Sequence, residues 1–559
     1  DLAVPVTVSL LESDTDPISG ATVKYYNGGW KDFGTTDSNG ETTKQLDAGT
    51  YTFRVYYAHA SVQISQDIVD DNTVEFQTKN VEVKLLDSTN AIIPTDEATV
   101  KYYSGGWRTM GTTIDGIINM EMLPKSYNFR LYYEHASVDK QQDVTTNPMI
   151  EIHTELARVE LHDSTDTVID TNEATVKYYS GGWRTLGITT NGVVEKELLP
   201  KSYNFRLYYE HASDEINQDI TLDNTVVFQT IQVEVQVKDS NNDFIDTDDS
   251  TVKYYSGGWR TLGITTDGTI RKELLPNTYN FRMYYEHAST EQTQDITADN
   301  IVMFQTENVI VTLHDSTDTI INTDDATVKY YSGGWRTLGT TSNGIVEKEL
   351  LPKSYNFRMY YEHASDEQTQ DITIDNLVIF HTINVEVRLE DSTGTLIDTD
   401  DSTVKYYSGG WRTLGITTDG TIRKELLPNT YNFRMYYEHA SDEISQDITS
   451  DNTITFTTIT VEVHLQDHNG DLIMTDDATV KYYSGGWRTL GNTVDGVATM
   501  EMLPNNYNFR MYYQHTSHDQ SQDINNDDTV LFQTGQVTSN SGNCTQYYAG
   551  GWRMFTNQM

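Results

Sequence analysis

The sequence predicts an all-β protein, a linear tandem array of seven small β-sandwich domains followed by a C-terminal partial repeat. Three observations carry that reading. All eight tryptophans lie in the tripeptide Gly-Gly-Trp, and the first seven (Trp30, Trp107, Trp183, Trp259, Trp335, Trp411, Trp487) recur at intervals of 77 and then 76 residues. A fixed period of this length means one structural module per repeat. Within each period, short runs of alternating apolar and polar residues are separated by turn signals, with no helical periodicity. Between consecutive periods there is no Gly, Ser or Pro linker.

The third repeat shows the elements in order. Val159 and Leu161 begin a first strand, which the acidic turn Asp163-Ser164-Thr165-Asp166 ends. The run Thr175-Val176-Lys177-Tyr178-Tyr179 alternates, so Val176 and Tyr178 share the inner face while Lys177 and Tyr179 look outward. Ser180-Gly181-Gly182 is a turn, because glycine adopts positive φ without steric cost, and Trp183 to Leu186 is the returning strand. Asn191-Gly192 marks the next hairpin. Val194 to Leu198 follows, then a break at Pro200-Lys201-Ser202. The strongest strand is Tyr203-Asn204-Phe205-Arg206-Leu207-Tyr208-Tyr209, with Tyr203, Phe205, Leu207 and Tyr209 on one face. The next segment, Glu210-His211, reads as strand continuation. Two short strands close the unit, around Ile220 and at Val226 to Phe228. About seven short strands give a sandwich of immunoglobulin-like proportions.

In the first repeat, Gly20-Ala21-Thr22-Val23, Thr36-Asp37-Ser38-Asn39-Gly40 and Ala48-Gly49-Thr50-Tyr51-Thr52-Phe53 resemble the carboxypeptidase-regulatory-like, prealbumin-type (Ig-like) β-sandwich repeats of bacterial surface proteins. Later repeats carry Leu-Pro-Lys-Ser-Tyr or Leu-Pro-Asn-Thr-Tyr at the last of these segments, which changes the turn and keeps the strand. The resemblance implies a stalk, adhesin or spacer. The repeats are placed at 1–79, 80–155, 156–231, 232–307, 308–383, 384–459 and 460–535, with a partial repeat at 536–559. Val226 to Thr230 and the following Val233-Glu234-Val235 are separated by two residues, too few for a flexible linker, so neighbouring modules are expected to hold a fixed angle in a rigid rod. Residues 245–289 and 397–441 are identical over 45 positions, two modules apart. This points to duplication of a two-module unit and to repeated display of one surface.

A formal charge of -45 in 559 residues opposes nucleic acid and anionic membrane surfaces as partners. No apolar run reaches the ~20 residues of a membrane helix. The start at Asp1 without Met is read as a processed or truncated product, most simply a secreted chain, and the resemblance above implies a bacterial cell surface. The single cysteine, Cys544, falls in the partial repeat, so no module has an internal disulfide.

Several constellations bear on chemistry. His135, His211, His287, His363 and His439 recur in Tyr-Tyr-Glu-His-Ala-Ser, with His59 and His515 in variant versions. One histidine per module does not assemble a metal site, which needs three or four convergent ligands. The acidic turns, Asp391, Asp398, Asp400 and Asp401 in the sixth repeat and Asp239, Asp246, Asp248 and Asp249 in the fourth, offer the oxygen ligands of Ca²⁺. Their spacing matches no EF-hand loop. The third repeat has Asp170, Asn172 and Glu173 and the first only Asp14 and Asp16, so solvated turns are the expectation and no cofactor is assigned. Lys177 lies on the outer face, which argues against an isopeptide bond in the core. No paired carboxylates in an apolar pocket pattern and no Gly-framed serine are present, so the chain is read as a non-enzyme. Outward aromatics are the candidate binding surface: Tyr179, Trp183 and Tyr208 in the third repeat, Tyr255, Trp259 and Tyr284 in the fourth.

The partial repeat contains Thr545-Gln546-Tyr547-Tyr548-Ala549-Gly550-Gly551-Trp552-Arg553-Met554-Phe555, matching the second strand, turn and third strand of a module. A lone hairpin is marginal in water, so it is expected to dock on the seventh module or on an edge of another subunit, the alternative being a frayed remnant of truncation. Cys544, Tyr547, Tyr548, Trp552 and Phe555 are therefore candidate self-association residues, Cys544 by disulfide, and Asn543 heads a glycosylation sequon. The functional expectation is an extracellular structural protein, a rod-like subunit of a fibre or a surface stalk whose partner is itself. The alternative is a multivalent adhesin binding surface glycans through its Tyr and Trp residues.

Overall fold

The computed structural model describes residues 3–246, 248–537 and 546–554. Among them every regular element is a β-strand, and no helix is long and apolar enough to cross a membrane. The chain divides into two units. The first comprises Asp1–Gln236, Asp246–Met283 and Glu291–Met303, and the second Val237–Ile245, Tyr284–Thr290 and Phe304–Met559. The first unit holds repeats one to three and most of the fourth. The second holds the remainder, repeats five to seven and the terminal hairpin.

Within the first unit, the third repeat has strands at Glu155–His162, Thr175–Tyr179, Trp183–Ile188, Val193–Leu198, Ser202–Tyr209, Ala212–Asp219 and Thr225–Gln229. The fourth, first and seventh form a three-stranded sheet in that order, the first pairing antiparallel with the fourth and parallel with the seventh. The third, second, fifth and sixth form a four-stranded antiparallel sheet. The same two orders recur through the second unit in repeats five, six and seven. This is the tandem Ig-like β-sandwich that strand count and turn spacing predict.

The core lies between the two sheets. Val159, Leu161, Val176, Tyr178, Phe205, Leu207 and Phe228 are fully buried, so the period-two alternation read from the sequence is the one the sheets use. Tyr178 and Tyr203 meet edge to face at 5.8 Å between centroids, and the Tyr203 hydroxyl donates to Leu199 O at 2.9 Å. A buried phenol thus has its one polar atom satisfied. Gly192, at φ +81°, is required where it stands: a Cβ there would lie 2.2 Å from Ile169 O.

Three details differ from the sequence reading. Glu210-His211 does not continue a strand. Both residues have positive φ, 47° and 64°, and form the two-residue turn of the hairpin joining Ser202–Tyr209 to Ala212–Asp219. The strand expected around Ile220 precedes it; Ile220 itself is buried at the start of the following turn. At the junctions, a single residue, Thr154 or Thr230 for example, separates the last strand of one repeat from the first of the next, one fewer than expected. The difference arises because pairing in the fourth repeat already begins at Ile231, two residues ahead of Val233, while the preceding strand ends at Gln229, one residue short of Thr230.

Candidate functional site: the repeat junctions and the aromatic face

The Glu-His turn determines how repeats meet. Two adjacent residues at positive φ project their carbonyls out of the hairpin, where the next repeat supplies donors. The buried second-strand tyrosine of that repeat donates its hydroxyl to the first carbonyl: Tyr102 to Ala58 at 3.0 Å, Tyr178 to Glu134 at 3.4 Å, Tyr330 to Glu286 at 3.0 Å and Tyr482 to Glu438 at 2.9 Å. The serine opening the Gly-Gly turn donates to the second, as Ser104 does to His59 at 2.8 Å and Ser484 to His439 at 2.7 Å.

In four junctions the turn glutamate adds a charged contact. Glu134 accepts from Tyr178 at 2.7 Å through one carboxylate oxygen and pairs with Lys196 at 2.9 Å through the other. Glu210 with Lys272, Glu286 with Lys348 and Glu362 with Lys424 repeat the ion pair at 3.0 Å each. Partial burial pushes the Glu134 and Glu210 carboxyls up, but the bonds from lysine and tyrosine outweigh it and hold both below the usual carboxylate range. Burial, reinforced by Glu134, raises the Tyr178 hydroxyl well above its ordinary value, so it stays a donor.

A second contact is present at all six junctions between full repeats. A fourth-strand glutamate reaches back to the previous repeat and accepts from the serine of the turn after its first strand and from its junction threonine. Glu197 accepts from Ser88 Oγ at 2.6 Å, Ser88 N at 3.3 Å and Thr154 Oγ1 at 2.5 Å. Glu273 does the same with Ser164 and Thr230, and Glu121, Glu349, Glu425 and Glu501 with their counterparts. The threonines are buried, with at most 3% exposure. Sequence reasoning missed both contacts. The signal was present: a Thr-to-Glu spacing of 43 residues holds at every junction, and the Ser-to-Glu spacing is 108 residues at the first junction and 109 at the other five.

The aromatic face is only partly open. Tyr179 and Tyr255 are 48% exposed, Trp183, Trp259, Tyr208 and Tyr284 half-buried. Trp183 and Trp259 each meet the preceding tyrosine edge to face at 5.6 Å, and an arginine of the fifth strand lies over each indole, Arg206 at 4.0 Å from Trp183 and Arg282 at 3.9 Å from Trp259. That cation–π stack occupies one ring face. Beside the Glu-His turn, Glu97, Lys101, Tyr132, Tyr133 and His135 line a cleft of 470 Å³.

Of the residues singled out in the partial repeat, Tyr547 donates to Gln514 O at 3.0 Å, the same turn carbonyl that second-strand tyrosines engage elsewhere. Tyr548 and Trp552 pair with each other at 5.8 Å and stay 69% and 72% exposed. Cys544, Phe555 and Asn543 lie outside the described residues. The recurring histidines sit at the second turn position, exposed, and contribute a carbonyl to the junction rather than a ligand. Asp391 caps its own turn, accepting from Thr393 N at 2.9 Å, Thr395 N at 2.9 Å and Thr393 Oγ1 at 2.7 Å. Among the described residues, two groups of three ligand-type side chains converge within 4.8 Å: Glu12 with Asp14 and Asp16, and His314 with Asp318 and His381.

No protein-family model matches the sequence, and no curated protein matches it. Among solved structures, the chain is similar to the Bacillus anthracis TIE protein, at 12% identity over 68% of each chain with a TM-score of 0.13. It is also similar to BcpA, the major pilin subunit of Bacillus cereus, at 12% identity over 55% of this chain and 99% of that one, with a TM-score of 0.14. The full-length RrgB pilus protein from Streptococcus pneumoniae matches at 8% identity over 66% of this chain and 93% of that one, with a TM-score of 0.13.

Proposed function

We propose that the protein is an extracellular structural protein of a bacterial surface, a stiff subunit of a fibre or a stalk, whose repeats act as β-sandwich modules with the boundaries given by the tryptophan period. The observation that carries this reading is the junction. The glutamate, serine and threonine contact recurs at all six junctions between full repeats, with a one-residue connection, so each neighbour is held by chain and by side chain. Chemistry repeated at every joint and concentrated at no single one is what a spacing or tension-resisting element needs, and an active site needs the reverse. The recurring pair of three- and four-stranded sheets supports the Ig-like β-sandwich character of the repeats; membership of the prealbumin-type family that the sequence resembles belongs to the proposal. Self-association through the terminal hairpin belongs to the same proposal: Tyr548 and Trp552 present apolar rings to solvent.

A second reading, a multivalent adhesin for surface glycans, is favoured by one observation, the half-exposed tyrosine repeated from Tyr26 to Tyr483. Negative-stain electron microscopy of the full chain at high and low concentration, beside a chain ending at Thr534, tests both. Filaments from the full chain and isolated particles from the shorter one are the expected result. Isolated particles in both samples refute assembly through the hairpin, and clustering only on addition of a multivalent sugar supports the adhesin.

A further inference from the structure

The fifth repeat differs from its siblings at one spot. His314, the last residue of its first strand, and His381, the last of its seventh, are direct partners across the parallel ladder, so their side chains stand on the same face. The rings meet at 5.6 Å. Asp318 comes to them from the tight turn that follows the first strand. Its Oδ1 lies 2.9 Å from His314 Nδ1 and 3.2 Å from His381 Nε2. The turn is fixed from inside: Asp315 Oδ1 accepts from Thr317 N, Thr319 N and Thr317 Oγ1 at 2.8 to 2.9 Å, and Asp318 sits at φ 66°. Three ligand atoms are thus held by two paired strands and a capped turn.

We propose that His314, Asp318 and His381 bind one divalent transition metal ion of the zinc class, with water completing the coordination. Two imidazoles and a carboxylate are the donor set that such ions prefer, whereas Ca²⁺ and Mg²⁺ select oxygen alone. The remaining sequence differences favour the same assignment. In the third repeat the counterpart His162 is engaged by Glu160 at 2.8 Å as well as by Asp166. At the Glu160 position the fifth repeat has Thr312, whose buried hydroxyl has no hydrogen-bond partner, so His314 carries no second carboxylate tie. The third repeat also has Gln229 where His381 stands, and the second repeat has Leu86 beside His153. Among the described residues the full trio occurs in the fifth repeat alone, so one such site per chain is the expectation. The strongly acidic chain raises the local concentration of cations around it.

The test is Zn²⁺ titration of the untagged full chain by calorimetry at neutral pH, in millimolar Mg²⁺ to occupy non-specific acidic positions. One equivalent should bind at micromolar or tighter affinity. His381→Gln installs the residue of the third repeat and should weaken binding at least about tenfold, and Asp318→Asn should do the same. His363→Gln, in the recurring Glu-His turn, should leave it unchanged. Circular dichroism of each variant separates loss of a ligand from loss of the fold. Binding that is absent, or that survives His381→Gln undiminished, overturns the assignment.

Discussion

Replacing Glu273 by alanine should unlock the third repeat from the fourth while leaving each sandwich intact. The carboxylate accepts from Ser164 Oγ at 2.7 Å, Ser164 N at 3.2 Å and Thr230 Oγ1 at 2.6 Å. The two bonds from Ser164 are exposed and contribute about 1 kcal/mol each at most; the one from the buried threonine to a charged acceptor contributes about 1.5 kcal/mol. Thr230 retains a bond to His162 O at 3.2 Å, which limits the penalty for its hydroxyl. The sum is about 3 kcal/mol, against roughly 4 to 11 kcal/mol expected for the intrinsic stability of a domain this size. The reporter is the Thr230 amide, which donates to His162 O at 2.9 Å and which the substitution does not touch. Hydrogen exchange at that amide should accelerate by about a hundredfold in Glu273→Ala if junction opening exposes it. Glu215→Ala removes an exposed partner of Arg206 within one repeat and should change exchange there and stability by less than about 1 kcal/mol. Equal exchange at Thr230 in the wild type and Glu273→Ala would refute the claim that this contact holds the repeats together.

Acid should loosen the junctions as well. Glu134 and Glu210 titrate below the unperturbed value of 4.5 in the folded chain, so the stability they add is complete above about that pH and is lost as pH falls through their lowered values. Below about pH 4.5 the thermal midpoint should fall more steeply in the wild type than in Glu210→Gln, so that the wild-type advantage, constant at higher pH, closes as the pH drops. Within a repeat, Gly192→Ala should cost at least about 2 kcal/mol, from left-handed strain and the clash with Ile169 O. Gly181→Ala, also left-handed at φ +64° but facing open space, should cost about 1 kcal/mol in the same urea titration.

The sandwich was readable because its inner faces repeat with period two and its turns are marked by glycine. Val176, Tyr178, Phe205 and Leu207 face the core as their alternation requires. The sixth strand was expected but misplaced, for the opposite reason. Ala212–Asp219 is an edge strand with only its first residue buried, so its residues, Ala-Ser-Asp-Glu-Ile-Asn-Gln-Asp, obey solubility rather than a core. The hairpin before it was hidden too. Two-residue turns with positive φ at both positions normally announce themselves as Asn-Gly, and here Glu-His occupies them. The metal-type trio escaped because its members lie 4 and 63 residues apart on different elements, and only the parallel ladder brings His381 to His314.

The strained Glu-His turn is itself best explained by the junction. Left-handed backbone costs about 1 kcal/mol or more per non-glycine residue, and seven successive repeats retain it, including Ala58-His59 and Gln514-His515 where the glutamate is replaced. What those variants keep is the pair of outward carbonyls, and a tyrosine hydroxyl meets the first of them in each case, from Tyr102 and from Tyr547. The ion pair is the part that varies. Met120 and Met500 stand at the lysine position in the second and seventh repeats; Ala58 accompanies the former, and Glu438 is left without its ammonium by the latter. Backbone carbonyls therefore set the geometry of the joint, the fourth-strand glutamate fastens it, and the lysine pair adjusts its strength from one junction to the next.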